Sequence, residues 1–383
     1  MRLPSLAFAA CVALAAPIAT HAAGAPATPK HASTISGTVT RTADASAVVG
    51  ANVLVLTPAG DFVTFAQTGP GGTYTVDAGP GTFLVLVAAP RLVTELYNDV
   101  ACPAFECNLS LATQIPLAHG GAVTGIDFAL APQPKLTGVV TGGSPVVAQA
   151  GVEVTAFTAD GNPAGTTATA ADGSYELFFD PVSVVVRTSN FAQLVDELHP
   201  DIACPFGACG TTGATVFTLT AGQSQGGVDF VLARGASIGG EVTLAANGQP
   251  LEFATVGVYA ADASFLANFQ TGTDGSWRVA TGMLPGTYRA AIEGASSLQG
   301  EVWDDHPCVE QPGNTCNVAA GDPIVVAAQQ TRTDIDFALV RGTGVLSGTT
   351  RRFGTNTPLF GVQLQLLSSD GVQLVAQAQS GFD

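Results

Sequence analysis

The chain has 383 residues, of which 46% are hydrophobic and only 11% charged, and it carries a formal net charge of −17. Its length accommodates two to four domains, and its acidic balance argues against binding to nucleic acid or to anionic membranes. The 45 glycines, together with abundant Ser, Thr, Ala and Val, favour short strands and turns, so we expect an all-β protein.

The first 22 residues have the pattern of a secretory signal. Arg2 precedes an apolar stretch over residues 3–18, and small residues favour cleavage after Ala22. Cys11 would be removed with this segment; the alternative, a lipidated Cys11, would leave almost no apolar region before it. Residues 23–33 are rich in Ala, Pro and Ser and are predicted to form a linker. We therefore expect a secreted, periplasmic or cell-surface protein without a transmembrane segment after cleavage.

One pattern then recurs about every hundred residues. Each copy begins with a strand motif around a glycine, namely Gly37, Gly138, Gly240 and Gly348. An alternating apolar strand with a hairpin turn follows, then a strand with one large ring, then a turn and an apolar strand. These markers predict three complete repeats and one incomplete repeat, over residues 34–132, 133–234, 235–341 and 342–383.

The fourth copy stops at Asp383, which aligns with Asp172 and Asp274 just before the ring-bearing strand. Half a β-sandwich cannot cover its own core. We therefore expect that the sequence is a fragment or comes from a truncated chain.

Cysteine spacing predicts one local disulfide in each repeat. Without Cys11 there are six cysteines in three close pairs, Cys102–Cys107, Cys204–Cys209 and Cys308–Cys316. An even count in an exported chain indicates disulfides formed in an oxidising compartment. The alternative, a zinc site, requires four ligands together, and no pair has a second pair or two histidines nearby in sequence.

The series ISGTV, DGSY and PGTY resembles the carboxypeptidase regulatory-like repeat, and the resemblance covers residues 34–383. It implies tandem immunoglobulin-like or transthyretin-like β-sandwiches, close in fold to starch-binding-like modules. In that family such repeats accompany enzymes, receptors or adhesins. The fold class that we predict is therefore all-β, with tandem β-sandwich repeats that each contain one local disulfide.

No catalytic site is expected. None of the five histidines has a glutamate three positions later, as a zinc carboxypeptidase signature would require. The segment at 235–239 matches Gly-x-Ser-x-Gly, but Ser237 leads into a predicted strand and not into the strand–turn–helix of a nucleophile elbow. We predict neither a cofactor nor a metal ion.

Two series of rings recur with the repeats. Tyr74, Tyr175 and Trp277 begin strands, so we expect them in the cores. A second series lies five residues before the first cysteine of each pair, and its members are Tyr97, His199 and Trp303. These rings, with Phe105 and Phe206 in the loops, are candidate ligand-binding residues for a glycan or a protein partner; the alternative is that they anchor the loops from beneath.

Acidic residues recur beside the second ring series and at the end of each repeat. They are Glu95 and Asp99, Glu197 and Asp201, Glu301 and Asp305, and then Asp127, Asp229 and Asp336. A calcium site built from these oxygens is one interpretation, but no Asp-x-Asp-x-Asp-Gly loop supports it. Structural hydrogen bonding or plain solvation is the other.

The sequence therefore predicts a non-catalytic spacer or adhesion rod outside the cytoplasm. Two alternatives remain open: carbohydrate-binding modules, and accessory repeats of a larger extracellular enzyme that continues beyond Asp383. The expected partners are a glycan or a protein of the cell surface or matrix.

Overall fold

The structure, a computed structural model, describes residues 33–103, 107–293, 298–308, 310–311, 315–341, 347–367 and 374–381. The predicted signal segment 1–22, most of the predicted linker and Phe105 lie outside these residues. Throughout the described part, the regular elements are β-strands and single-turn 3-10 helices, which confirms the predicted all-β class. The 3-10 helices are Pro70–Gly72, Leu109–Leu111, Pro205–Gly207 and Val318–Ala320.

The described residues of the first repeat form ten strands, many of them short. They are β1 (Thr34–Arg41), β2 (Asn52–Leu56), β3 (Phe62–Gln67), β4 (Thr73–Asp77), β5 (Gly81–Ala88), β6 (Glu95–Leu96), β7 (Val100–Ala101), β8 (Ile115–Leu117), β9 (Ala122–Val123) and β10 (Phe128–Leu130).

These strands make two sheets that pack face to face. In the first sheet, β1 pairs antiparallel with β4 and parallel with both β9 and β10. The second sheet has the order β3-β2-β5-β6-β7, and β8 also pairs with β5. Alternation along each strand sends apolar side chains inward, so β1, β2, β4 and β5 supply most of the core.

The second repeat has the same plan. Its strands are β11 (Lys135–Gly142), β12 (Val147–Ala148), β13 (Glu153–Thr158), β14 (Pro163–Ala168), β15 (Ser174–Phe178), β16 (Ser183–Ser189), β17 (Glu197–Leu198), β18 (Ile202–Ala203), β19 (Phe217–Thr218), β20 (Ser224–Gln225) and β21 (Phe230–Leu232). Its sheets run β12-β11-β15, with β20 and β21 on β11, and β14-β13-β16-β17-β18, with β19 on β16.

The third repeat adds a small hairpin in its longer disulfide loop. Its strands are β22 (Ser237–Leu244), β23 (Gln249–Pro250), β24 (Thr255–Ala260), β25 (Phe265–Gln270), β26 (Ser276–Arg278), β27 (Gly286–Ile292), β28 (Glu301–Val302), β29 (His306–Pro307), β30 (Glu310–Gln311), β31 (Thr315–Cys316), β32 (Ile324–Val326), β33 (Thr331–Arg332) and β34 (Phe337–Leu339). The fourth contributes one described hairpin, β35 (Gln363–Leu367) with β36 (Leu374–Gln379).

The recurrent glycine, ring and aspartate belong to one cluster in each repeat. In the first, Gly37 lies opposite Tyr74 in the β1–β4 register, and the Tyr74 hydroxyl donates to the Ile126 carbonyl at 2.6 Å. A Cβ on Gly37 would lie 2.0 Å from that same carbonyl oxygen. The Asp127 carboxylate accepts the Thr38 backbone N–H at 2.7 Å. Thr38 lies between the part of β1 that pairs with β9 and the part that pairs with β10. Glycine is therefore required here by a close backbone approach.

The same cluster closes the other two complete repeats. Tyr175 and Trp277 donate to the carbonyls of Val228 and Ile335, at 2.6 and 3.0 Å. All three rings are 4% exposed, which confirms their predicted place in the cores. Each core is separate and draws its fully buried residues from its own repeat.

Candidate functional site: the disulfide loops and the repeat junctions

Each complete repeat has one local disulfide, as the cysteine spacing predicted. The bonded pairs are Cys102–Cys107, Cys204–Cys209 and Cys308–Cys316, with Cα–Cα distances of 4.4, 4.8 and 4.9 Å. Each bond follows a hairpin of two-residue strands that extends the second sheet, such as β6–β7. We call each bonded segment with this hairpin the disulfide loop, meaning the described residues within 95–112, 197–215 and 301–321.

The disulfide loop of repeat 1 covers the outer face of its second sheet. Four leucines on or beside that face pack with both cysteines in a small apolar cluster of their own; they are Leu56, Leu84, Leu86 and Leu96. The loop therefore gives the sandwich a third layer, and Cys102 is fully buried in it.

Repeat 2 fills the same outer face differently. The register places Arg187 of β16 opposite Thr155 of β13. The Arg187 guanidinium lies 4.5 Å from the centre of the Phe157 ring and donates to the Gly207 carbonyl of the disulfide loop at 2.8 Å. A cation–π contact and a charged hydrogen bond thus hold a loop that leucines hold in repeat 1.

The rings predicted as ligand-binding residues are half-buried beneath their loops. Tyr97 packs edge to face on Phe128, with centroids 5.7 Å apart. His199 contacts the rings of Phe217 and Phe230, at 5.4 and 5.6 Å.

Trp303 packs against the third core and has the Arg332 guanidinium 5.3 Å from its ring. This placement favours the anchoring interpretation for all three rings of the series. Ligand binding by Tyr97, His199 and Trp303 stays a prediction.

A glutamate begins each disulfide loop and carries a buried oxygen that makes no hydrogen bond to the described residues. These oxygens are Glu95 Oε2, Glu197 Oε2 and Glu301 Oε1. Burial raises the pKa of Glu95 and of Glu197 to about 7, and the nearby carboxylates of Asp99 and Asp201 contribute. Burial likewise raises the pKa of Glu301.

The aspartates near the end of each repeat have a structural partner. Asp229 and Asp336 accept the backbone N–H groups of Val139 and Glu241, both at 2.8 Å, as Asp127 does in repeat 1. Within the described ranges, no group of three His, Cys, Asp or Glu side chains is placed to hold a metal ion. These contacts support the hydrogen-bonding interpretation of the acidic series.

Ser237 lies in strand β22 and is fully buried. Its hydroxyl donates to the Val279 carbonyl at 2.7 Å. The Ser237 hydroxyl therefore satisfies the Val279 carbonyl, and Ser237 is not placed on a nucleophile elbow.

The junctions between repeats form a recurring unit that the sequence analysis did not identify. Ahead of each disulfide loop, the chain pairs with the segment that leads into the next repeat. The isolated bridges are Leu92 with Pro132, Leu194 with Arg234, and Leu298 with Arg341. Each linker is thus held as an extended strand on the repeat that precedes it.

Backbone hydrogen bonds flank these bridges. Val93 and Val195 donate to the carbonyls of Ala131 and Ala233, at 2.8 and 2.9 Å. One step along, the N–H groups of Gln133 and Gly235 donate to the carbonyls of Arg91 and Gln193, at 3.0 and 2.9 Å.

At the first junction, repeat 1 and the linker contact repeat 2 through two side-chain contacts and one backbone hydrogen bond. The Gln133 amide donates to Asp180 Oδ1 at 3.1 Å. The Arg91 guanidinium lies 4.7 Å from the centre of the Phe178 ring. Gly222 N–H donates to the Pro132 carbonyl at 2.7 Å.

Across the second junction, the two backbones are in direct contact. Gln193 N–H donates to the Ala280 carbonyl and Gly282 N–H to the Leu194 carbonyl, both at 2.9 Å. A Cβ on Gly282 would lie 2.4 Å from the Leu194 carbonyl carbon, and one on Gly235 would lie 2.4 Å from Gly282 Cα. Only glycine fits at these two positions.

A buried carboxylate and a ring complete the second junction. Asp196 accepts hydrogen bonds from Asn190 at 2.6 Å and from the Thr281 hydroxyl of repeat 3 at 3.2 Å. Burial raises the pKa of Asp196 to about 6 although these hydrogen bonds oppose the shift. Phe206, in the disulfide loop of repeat 2, packs edge to face on Phe269 of repeat 3, with centroids 6.4 Å apart.

No protein-family model matches the chain, and no curated protein matches it. A search of the stretches described above finds no helix of the length and hydropathy that crossing a membrane requires. Solved structures with some likeness include the Bacillus anthracis TIE protein, at 10% identity and a TM-score of 0.21. That match covers 80% of this chain and 50% of the other, so the chain spans half the length of that protein.

Two pilins are also similar at 10% identity. The streptococcal ancillary pilin has a TM-score of 0.25, with 81% of this chain and 98% of that chain covered. BcpA, the major pilin subunit of Bacillus cereus, has a TM-score of 0.20, with 82% and 99% covered. TM-scores this low do not establish a shared fold, so the β-sandwich assignment rests on the strand pairing of this chain.

Proposed function

We propose that the chain is a stiff, non-catalytic spacer that acts outside the cytoplasm in adhesion or surface display, built from repeats of the carboxypeptidase regulatory-like type. The observation that carries this proposal is the recurring junction. A linker that is hydrogen-bonded to one repeat and also contacts the next restricts the angle between the two repeats, whereas a free Gly- or Ser-rich linker does not.

Stiffness follows from where the linker groups are bonded. At the first two junctions, the residue that leads into the disulfide loop also contacts the next repeat: Arg91 stacks on Phe178, and Gln193 donates to Ala280. A change of angle between two repeats would therefore break contacts on both sides of the linker. Ordinary inter-domain surfaces without such contacts allow relative motion.

Export is supported by the disulfides and by the predicted signal. Three local disulfides persist where the redox potential is oxidising, as in the periplasm or outside the cell. The partner proposed for an adhesive role is a glycan or a protein of a cell surface or matrix. The second alternative, accessory repeats of a larger extracellular enzyme, stays a proposal.

The experiment is single-molecule energy transfer in the whole chain. Dyes are attached through non-canonical amino acids at Ala59 and Ala261, two exposed positions at corresponding hairpins of repeats 1 and 3. A stiff spacer gives one narrow distance distribution that does not change with added viscogen or moderate salt. A broad distribution, like that of a flexible linker of the same length, would reject the proposal.

A further inference from the structure

A groove of about 870 Å³ in repeat 3 runs from the outer face, which the disulfide loop covers in repeat 1, to the edge of the core at Leu251, Leu298 and Leu339. Sites for small ligands have volumes of about 300–1,000 Å³. Its lining includes aromatic, amide and carboxylate side chains, namely Tyr259, Phe265, Asn268, Asn317, Glu252 and Glu293. This groove belongs to neither ring series that the sequence singled out.

The groove exists because small residues replace large ones on this face. Gly257 and Ala291 pair in the β24–β27 register. The corresponding pair in repeat 1 is Leu54 with Leu86, and in repeat 2 it is Thr155 with Arg187. The two larger pairs fill the space between sheet and disulfide loop, whereas in repeat 3 the Tyr259 ring lies over Gly257 and forms a wall of the groove.

Glycine at 257 also sets the position of a ring. A Cβ on Gly257 would lie 2.8 Å from the Tyr259 hydroxyl oxygen, so the Tyr259 ring lies back across the strand. Phe265 stands against it edge to face, with centroids 5.6 Å apart, and is 57% exposed. The pair presents ring faces and edges at one end of the groove.

The lining chemistry selects the class of ligand. The described lining residues include two glutamates and no Lys, Arg or His. Beside the groove, Arg289 pairs with Tyr259 in the β24–β27 register, and its guanidinium donates to the Ala261 and Gly321 carbonyls. Charges of both signs thus lie close to the groove, and a neutral ligand is repelled by neither.

The amides of Asn268 and Asn317 and the carboxylates of Glu252 and Glu293 offer donors and acceptors for hydroxyl groups. Aromatic surface beside such groups suits an amphipathic ring with hydroxyls at its edge.

The shape favours a chain-like ligand over a small cation. The lining follows β24 from Thr255 to Tyr259, which at the usual strand rise is about 13 Å. We propose that this groove binds a neutral oligosaccharide, with Tyr259 and Phe265 as the stacking residues. This inference rests on the proposed adhesive role and gives it a ligand class and a place.

The test uses the full chain and three neutral probes: maltohexaose, cellohexaose and xylohexaose, with binding measured by calorimetry. At least one is expected to bind, and Phe265→Ala should weaken that binding at least tenfold without changing the melting temperature. Tyr259→Leu introduces the residue that repeat 1 has at this position, Leu56, and should weaken binding to a similar extent. The matched control is Phe62→Ala, since Phe62 occupies the equivalent strand position of repeat 1 and is 52% exposed.

Three outcomes would overturn the proposal. They are no binding of any probe at millimolar concentration, binding that Phe265→Ala and Phe62→Ala weaken equally, and preferential binding of an arginine- and lysine-rich peptide at the same residues. None of these results affects the distance distribution between repeats 1 and 3. The oligosaccharide-binding proposal can therefore be rejected while the spacer proposal is retained, and the spacer proposal can be rejected even if the groove binds an oligosaccharide.

Discussion

The first two junctions occupy equivalent places in the chain, yet one pair of equivalent positions makes different contacts in the two. Between repeats 1 and 2, the side chains of Gln133 and Asp180 meet at 3.1 Å. Between repeats 2 and 3, the equivalent positions are Gly235 and Gly282, and their backbones touch. The linker pairing is shared, because Val93 and Val195 make the same hydrogen bond in both.

The difference separates two roles within a junction: one part determines the direction in which the chain leaves a repeat, and the other determines how rigidly the next repeat is held. The linker pairing lies within one repeat and fixes where the chain leaves it. The contact across the junction then determines how firmly the next repeat is seated. Side chains can reorient at modest cost, whereas a backbone contact without Cβ atoms leaves no room for adjustment, so we expect the second junction to be the stiffer one.

The largest expected effect is from Gly282→Val. Its side chain would overlap the Leu194 backbone and separate repeats 2 and 3, at a cost of about 3 kcal/mol. Both tryptophans of the chain lie in repeat 3, so tryptophan fluorescence during urea unfolding reports this repeat selectively. Asp180→Val is the matched change at the first junction and should shift the tryptophan transition by less than about 0.5 kcal/mol. Equal shifts would contradict the comparison.

Removing the Cys204–Cys209 disulfide should loosen only the second junction. By the chain-entropy estimate, a loop this short contributes about 2 kcal/mol. Because Phe206 lies between these cysteines and packs on Phe269, Cys204→Ala with Cys209→Ala should also broaden the distance distribution between repeats 2 and 3.

Phe206→Ala with the disulfide intact should reproduce that broadening without the loss of loop stability. If the double cysteine variant keeps a narrow distribution, the disulfide loop of repeat 2 has no part in the junction.

The second junction should weaken as pH rises, because Asp196 has a pKa of about 6 in the fold and about 4 when unfolded. Its contribution is fully present below pH 4 and is lost as pH rises through 6, a change of about 1–2 kcal/mol. Asp196→Asn should remove this part of the pH dependence from the tryptophan transition. Glu301 also titrates in repeat 3, so the informative quantity is the difference between the two proteins. At the first junction the equivalent residue is Thr94, which does not titrate, so this pH dependence is expected at the second junction and not at the first.

The smallest expected effect is from Arg91→Gln, which gives repeat 1 the residue that repeat 2 has at position 193. The cation–π contact with Phe178 would be lost, which at an exposed site amounts to about 0.5–1 kcal/mol. Native-state hydrogen exchange at the Gln133 amide should accelerate modestly, and exchange at the Gly235 amide should not change. If Arg91→Gln lowered the free energy of unfolding as much as Gly282→Val, the first junction would depend on the Arg91–Phe178 contact far more than its geometry implies.

Sequence reasoning identified the features whose spacing is local. Cys102 and Cys107 are close enough in the chain to indicate their own pairing. Tyr74 begins a strand after a turn, which predicts a core ring. The reason that Gly37 recurs was not accessible, because the Ile126 carbonyl that excludes a side chain comes from the segment between β9 and β10, about 90 residues later.

Features that depend on the relative placement of neighbouring units were missed. Gly282 stands where repeat 2 has Asp180, and this difference was the only sign of the contact that the sequence offered. Its importance can be recognised only once the position of Leu194 in the preceding repeat is known.

Thr68 makes a contact within its own repeat that was also missed. Its hydroxyl accepts the Ala51 N–H at 2.8 Å and donates to the Val48 carbonyl at 2.5 Å. Thr169 and Thr271 make the same pair of bonds in their repeats.

The spacer proposal requires that the linkers are held in place and do not move freely. Hydrogen exchange of the linker amides tests it most directly, because the N–H groups of Val93, Gln133, Val195 and Gly235 are all bonded in the structure. We expect these four amides to exchange at least about a hundredfold more slowly than those of an unstructured peptide, with Gly235 slower than Gln133. Exchange of Gln133 and Gly235 at the unstructured rate, while the cores stay protected, would contradict it.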